Sequence, residues 1–145
     1  MTLNDTWFTG EVVVEGKTAI IRGRSHLGNL MNSNFFPSLV QITWRFETPT
    51  ENGIPTPEEN LFMTEIEDAL VAILEKDLQS VLAFTQIFDN NKIWFFYSRS
   101  TDEFGIRLNE ALSVFRRVPI EIENHSDPDW ETYKTLLADF DLEVN

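Results

Sequence analysis

The chain has no cysteine and only two histidines. Without cysteine there is no disulfide, no thiolate nucleophile and no Cys-based zinc site. His26 lies in a Gly/Asn-rich stretch and His125 close to the end. Ser25 precedes His26, but adjacency in sequence is not a triad, because a catalytic base must be held by a third group. No phosphate-cradling glycine loop is present: Arg22-Gly23-Arg24 is too short and lacks the Lys-Ser/Thr pair that such loops carry. No apolar run approaches the roughly 18 residues that a membrane helix needs. Residues 1–6 show neither a basic cluster nor an apolar segment of a signal peptide, so a soluble cytoplasmic protein is the expectation.

Positive charge is also scarce. Eleven Lys and Arg face 24 Asp and Glu, for a formal charge of -13. The excess is localised. Residues 57–77 carry seven acids and one base, a net -6, and residues 121–145 carry eight acids and one base, a net -7. The remainder is neutral. Such a balance repels nucleic acid and anionic lipid, whose recognition rests on Lys and Arg at phosphates. It favours a protein partner with a basic surface.

At 145 residues, with twelve Phe, the chain is expected to form a single domain with a packed core. Residues 1–37 read as an N-terminal hairpin and loop. Val12–Val14 and Thr18–Ile21 are β-branched runs joined through Glu15-Gly16, and 25–37 reads as loop. Residues 38–123 read as strand, helix, strand, strand, helix, strand. Val40, Ile42, Trp44 and Phe46 alternate with polar residues. Thr56, Pro57 and Glu59 start a helix with a capping box, and Phe62, Ile66, Ala69, Leu70 and Ile73 form its expected buried stripe. Glu65, Asp68, Ala72 and Glu75 line its opposite flank.

A second hairpin is expected around Asp89–Asn91, and its strand Ile93–Tyr97, apolar on both faces, must be covered twice. Ser100 and Glu103 cap a second helix with a stripe of Phe104, Leu108, Ala111, Leu112 and Phe115. Val118, Ile120 and Ile122 alternate with Pro119, Glu121 and Glu123, the marks of an edge strand. Residues 124–145 read as a C-terminal helix and tail, opened by Asp127-Pro128, with a stripe of Trp130, Tyr133, Leu137 and Phe140. The order from 38 to 123 is the split β-α-β pattern of ferredoxin-like folds. The second sheet face would be covered by the C-terminal helix or the N-terminal hairpin, in preference to a second copy of the chain.

Two acidic series, Asp127-x-Asp129-x-Glu131 and Asp139-x-Asp141-x-Glu143, resemble the start of a calcium loop. That loop needs twelve flexible residues with Gly at the sixth, which Pro128 and the helical stripe contradict for the first series. Helix capping and dipole compensation explain Asp127, Asp129 and Glu131 better. No metal, cofactor or catalytic residue is therefore expected. Arg22 and Arg24, with Arg45, form one basic spot suited to pairing with an acid of the same chain. Trp44, Trp94 and Trp130 fall on core stripes, whereas Trp7 is placed as a surface anchor.

In order along the chain stand Trp7, Trp44-Arg45-Phe46, Asn52-Gly53-Ile54-Pro55, Glu65-Ile66-Glu67, Phe96-Tyr97 and Asp127-Pro128-Asp129-Trp130-x-x-Tyr133. This set resembles the bacterial domain of unknown function 695 family over nearly the whole length. The resemblance implies an architecture similar to an acidic ferredoxin-like regulator of ribonuclease E, and a non-enzymatic binding or inhibitory role. It implies no catalytic residues.

The expectation is an α+β fold, a ferredoxin-like βαββαβ core with an antiparallel sheet, an added N-terminal β-hairpin and a C-terminal helix. Its function would be protein interaction, as a regulator, inhibitor or immunity-type partner of a basic enzyme such as a nuclease. The contact residues would be Glu65, Asp68 and Glu75 as an outward stripe, with Asp127 and Asp129 beside it. One alternative is an enzyme whose cleft is lined by carboxylates and Tyr97 or Tyr133. The other is a self-associating domain that forms a homodimer.

Overall fold

The structure, a computed structural model, describes residues 2–145. Among these, six strands form one antiparallel sheet accompanied by four helices, an α+β fold. The strands are β1 (Trp7–Val14), β2 (Lys17–Arg24), β3 (Ser38–Arg45), β4 (Ser80–Phe88), β5 (Asn91–Ser98) and β6 (Ile120–Ser126). The helices are α1 (Gly28–Met31), α2 (Pro57–Leu74), α3 (Thr101–Leu112) and α4 (Glu131–Asp139). The spatial order is β1-β2-β4-β5-β3-β6, with every neighbouring pair antiparallel.

Both hairpins turn on two residues in the left-handed region, Glu15 and Gly16 at φ 53° and 79°, and Asp89 and Asn90 at φ 48° and 66°. Two successive positive φ values give the tight turn whose twist matches that of the flanking strands. The N-terminal hairpin does not lie across the sheet. It lies in the sheet, with β2 paired to β4 and β1 forming one edge. The backbone donors and acceptors of β2 are met there by β4, which lying across a face would not achieve. β6 forms the other edge, as its charges and the preceding Pro119 suggest.

The central strands carry apolar residues to both faces. Val40, Ile42, Trp44, Leu82, Trp94 and Phe96 pack under α2 and α3. Leu39, Val81, Ala83, Phe84, Phe95 and Tyr97 pack against α1, α4 and their flanking loops. The second face of β5 is thus covered by the chain's own C-terminal helix, aided by a short helix inside the segment read as loop. α1 brings Leu30 into this layer, next to Leu27 and Phe36, and none of the three is more than 1% exposed.

The stripes differ from the expected ones in detail. α2 buries Met63, Ile66, Leu70 and Leu74 at its centre, while Phe62 and Ile73 are flanking, partly buried residues. Phe62 lies at the border with the segment after α3, where its ring meets Phe115, and Arg107 of α3 donates to the carbonyls of Ile73 and Lys76 at the other end. α4 begins after Trp130 and buries Tyr133, Leu136 and Leu137. Trp130 is itself buried in a left-handed backbone conformation, its ring stacked on Tyr97 at 4.0 Å and its indole N–H donating to the Phe36 carbonyl.

Two glycines let the outer strands meet the C-terminal layer. A Cβ at Gly23 would overlap the Phe8 ring, and one at Gly10 would overlap the Phe140 ring; these two rings pack together at 5.6 Å. Gly23→Ala should therefore destabilise the fold by about 1–3 kcal/mol, the usual cost of overpacking. Adding Phe8→Leu should restore part of that loss. Urea unfolding of the single and double variants checks this, and strict additivity would show that the ring is not what the methyl meets.

Candidate functional site

α2 carries most of the first acidic stretch, and its acids divide into two sets. The sheet-side set is Glu59, Glu67 and Glu75. Thr56 caps the helix, its side chain accepting from the Glu59 N–H at 3.2 Å. The Glu59 carboxylate, however, turns inward to accept from the Trp44 indole at 2.9 Å and from the N–H groups of Glu47 and Thr48 at 2.7 and 3.1 Å. Glu67 accepts from the Trp94 indole at 2.9 Å and pairs with Lys92 at 3.3 Å and Arg22 at 3.2 Å. Glu75 takes both terminal nitrogens of Arg24, at 2.7 and 3.4 Å, and the N–H of Leu82 at 2.8 Å.

This placement corrects the outward stripe. Glu75 does not face solvent, because its side chain is only 10% exposed and drawn beneath the helix end by a guanidinium 4% exposed. A buried arginine needs a paired carboxylate, and Glu75 at the end of α2 supplies the nearer one, with the exposed Asp5 at 3.9 Å on the other side. The basic spot of Arg22 and Arg24 is thereby neutralised by acids of the same chain. Trp7 is tied into the same cluster. Its ring lies under both guanidinium groups, at 3.9 and 4.5 Å, and its indole N–H donates to Asp5 at 2.7 Å. A groove between α2 and the β1–β2 hairpin is lined by Arg22, Glu67, Asp68 and Lys92 among others. The Glu67 carboxylate in it is already held by the Trp94 indole, Lys92 and Arg22.

The outward set is different. Glu58, Leu61, Glu65, Asp68 and Ala72 are all exposed, Leu61 by 64%. Glu65 and Asp68 enter none of the chain's ion pairs among the described residues. Next to α2, the outer side of α3 exposes Ile106 by 63%, and Val114 just beyond its end by 80%. Acids with interspersed apolar residues thus cover this two-helix surface.

Asp127 and Asp129 do not lie beside that stripe. They belong to the segment that enters α4, on the opposite face of the sheet. Asp127 is 8% exposed and accepts from the Tyr97 hydroxyl at 2.6 Å and from the N–H groups of Glu131 and Thr132 at 2.8 and 3.1 Å. It is a helix cap in the core, as its sequence position before α4 suggests, and it is not available as a contact residue. Asp129 is exposed. Among the described residues, no three His, Cys, Asp or Glu side chains come together as a metal site.

The two tyrosines named for a cleft are buried and engaged. Tyr97 donates a hydrogen bond from its hydroxyl to the Asp127 carboxylate, and Tyr133 donates one to the Arg24 carbonyl. Burial first, then the hydrogen bond and charge of Asp127, push the Tyr97 phenol far above its ordinary value. Burial raises Tyr133 to about 12, with the Arg24 charge pulling the other way. Burial would also raise Asp127, but the Tyr97 hydroxyl and the N–H groups of Thr132 and Glu131 outweigh it and hold that carboxyl below its usual value. Sequence reasoning missed Glu59 and Glu67 as buried acceptors. The signal available was weak: tryptophans and arginines expected on core strands need acceptors, and the nearest helix is rich in them.

Two outcomes follow for stability. Glu75→Ala should cost about 3–5 kcal/mol, because it leaves a buried guanidinium with only the exposed Asp5 at 3.9 Å beside it. Glu65→Ala should leave the urea midpoint unchanged, and equal losses for the two would refute the division of the acids. For the tyrosines, folding favours the neutral form. Stability is therefore intact below the free phenol value of about 10 and falls as pH rises beyond it toward the folded values. An alkaline absorbance titration should show no tyrosinate from the folded chain near pH ~10, with both rings ionising together on unfolding. An early transition from either ring would contradict its burial.

No curated protein and no solved structure matches this chain. The model of the family described as "Family of unknown function (DUF695)" matches residues 5–138, from the segment before β1 to the last turn of α4. That span takes in all six strands and both faces of the sheet, and the chain belongs to this family.

Proposed function

We propose that the chain is an acidic, non-enzymatic protein-interaction module. Its partner is a basic protein, and its role is that of a regulator, inhibitor or immunity-type partner of an enzyme such as a nuclease. One observation carries the reading: Glu65 and Asp68 stand exposed on α2 beside Leu61, while the acids beneath the helix are consumed by indole, arginine and backbone donors. Carboxylates fixed on a packed helix keep their spacing, as phosphates do along a backbone. They steer a basic partner into encounter, and the exposed Leu61 offers it an apolar anchor.

A ferredoxin-like core is part of this proposal. The run β3-α2-β4-β5-α3-β6, with spatial order β4-β5-β3-β6 and α2 and α3 packed on one face, supports it. The β1–β2 hairpin and α4 are then additions at one edge and on the other face. Similarity to the acidic regulator of ribonuclease E, a bacterial origin and a cytoplasmic setting belong to the same reading; the absence of cysteine agrees with a reducing compartment.

Affinity capture from native cell extract supplies the partner for the test. Glu65→Lys with Asp68→Lys should fold as the parent does, since both positions are exposed. Its association rate with that partner should fall about tenfold at low salt and lose its salt dependence. An unchanged rate would remove the outer face of α2 from the interface.

A further inference from the structure

The orientation of β6 fixes which of its backbone groups face outward. At one end of the β3–β6 ladder the Asp127 N–H donates to the Pro37 carbonyl at 2.9 Å, and at the other the Arg45 N–H donates to the Pro119 carbonyl at 3.4 Å. Between them the register is Thr43↔Glu121, Gln41↔Glu123 and Leu39↔His125. The alternation of an antiparallel ladder then turns the N–H and C=O groups of Glu121, Glu123 and His125 toward β3. Those of Ile122, Asn124 and Ser126 point away from the sheet. Every residue from Glu121 to Ser126 is exposed. An edge of this kind is a template for one more strand.

The side chains decide which strand. A strand added to this edge meets Glu121 and Glu123 in the non-hydrogen-bonded pairs, where opposing side chains approach most closely. Between them Ile122, 46% exposed, presents an apolar side chain to the other face. A second copy of β6 paired antiparallel about any of these three residues sets carboxylate against carboxylate, which is destabilising. β1, the opposite edge, carries only Glu11 as a charged residue and has no comparable selection.

We propose that the β6 edge accepts an extended segment of another protein as an added antiparallel strand, with Lys or Arg opposite Glu121 and Glu123 and an apolar residue opposite Ile122. Main-chain bonds supply the attraction and the alternating charges supply the choice. This contact is separate from the outer face of α2 and does not depend on Glu65 or Asp68.

The test uses the full chain and an end-blocked peptide of alternating lysine and valine, with an alternating glutamate and valine peptide as control. The lysine peptide should bind and slow hydrogen exchange at the amides of Ile122, Asn124 and Ser126. Asn124→Pro removes an outward N–H while sparing the ladder to β3, and should abolish binding. Glu121→Lys with Glu123→Lys should weaken the lysine peptide by roughly tenfold and favour the glutamate peptide instead. Circular dichroism establishes that each variant is folded, and the charge-reversed pair decides the matter if the proline variant is not. Glu65→Lys with Asp68→Lys should leave peptide binding unchanged. The proposal is overturned by any of four results: no binding, binding that survives Asn124→Pro in a folded variant, equal binding of both peptides, or protection that grows with protein concentration alone. The last would mean that the edge pairs with a second copy.

Discussion

The docking of α2 on the sheet depends on carboxylates meeting donors that cannot be left alone. Trp44 and Trp94 are fully buried and Arg24 nearly so, and each brings an N–H group into a place without water. An unmet donor there costs about 1–3 kcal/mol, and more if charged. Glu59, Glu67 and Glu75 meet both indoles and the terminal nitrogens of Arg24, on β3, on β5 and β2, and on β2 and β4 in turn, while the Arg24 Nε is left without a partner. Eight residues along a helix advance the side chain by roughly 80° beyond two full turns. The three acids therefore pass from the underside of α2 to the flank that faces the hairpin, which is what a helix crossing its sheet obliquely requires. The same contacts hold the β1–β2 hairpin beside α2, since Arg22, Arg24 and Trp7 form one stack on its strands.

The second face of the sheet obeys the same rule with different chemistry. Tyr97 lies on β5, and its hydroxyl needs an acceptor once Trp130 stacks over the ring. Asp127 provides it and uses its remaining capacity on the first turn of α4. One carboxylate thus fixes where α4 starts and which way it runs, and Pro37 holds the Asp127 backbone at the end of the β3–β6 ladder. Because α2 and α4 occupy opposite faces, the two acidic stretches of the sequence do not merge into one surface. Any partner of α2 meets a face governed by Glu58, Glu65 and Asp68, with Leu61 among them, and a partner at the C-terminal helix meets a separate one.

The elements themselves were legible because their signals are local. Thr56-Pro57 and Ser100 mark helix starts through a hydroxyl that accepts an N–H three residues on, and both hydroxyls do so. Val12–Val14 and Thr18–Ile21 mark paired strands through β-branching around a turn with a glycine. The double apolarity of Ile93–Tyr97 also correctly demanded two covers. What was not legible is which acid faces which way. Glu59 was read as half of a reciprocal capping box, yet its carboxylate goes to Trp44, a residue brought near only by the fold. Glu75 continues the spacing of Glu65, Asp68 and Ala72, yet a guanidinium on β2 draws it under the helix. Periodicity assigns a face from the helix alone, whereas long side chains at the border of a face follow whatever charge stands within reach. Likewise a strand hairpin that covers a sheet and one that extends it share the same alternation, and only the availability of an unpaired β4 edge separates them.

Part of the acid on this chain is engaged inside the fold. Glu59, Glu67, Glu75 and Asp127 are matched by donors in the interior and contribute to the fold. What remains outside is placed where pairing would otherwise be indiscriminate. The helix surface with Leu61, Ile106 and Val114 would be a sticky apolar patch if it were neutral, and the open β6 edge with Ile122 would be a site of uncontrolled strand addition. On the proposals made above, like charge over both disfavours a second copy of the chain and favours a basic protein, because the same carboxylates repel the first and attract the second.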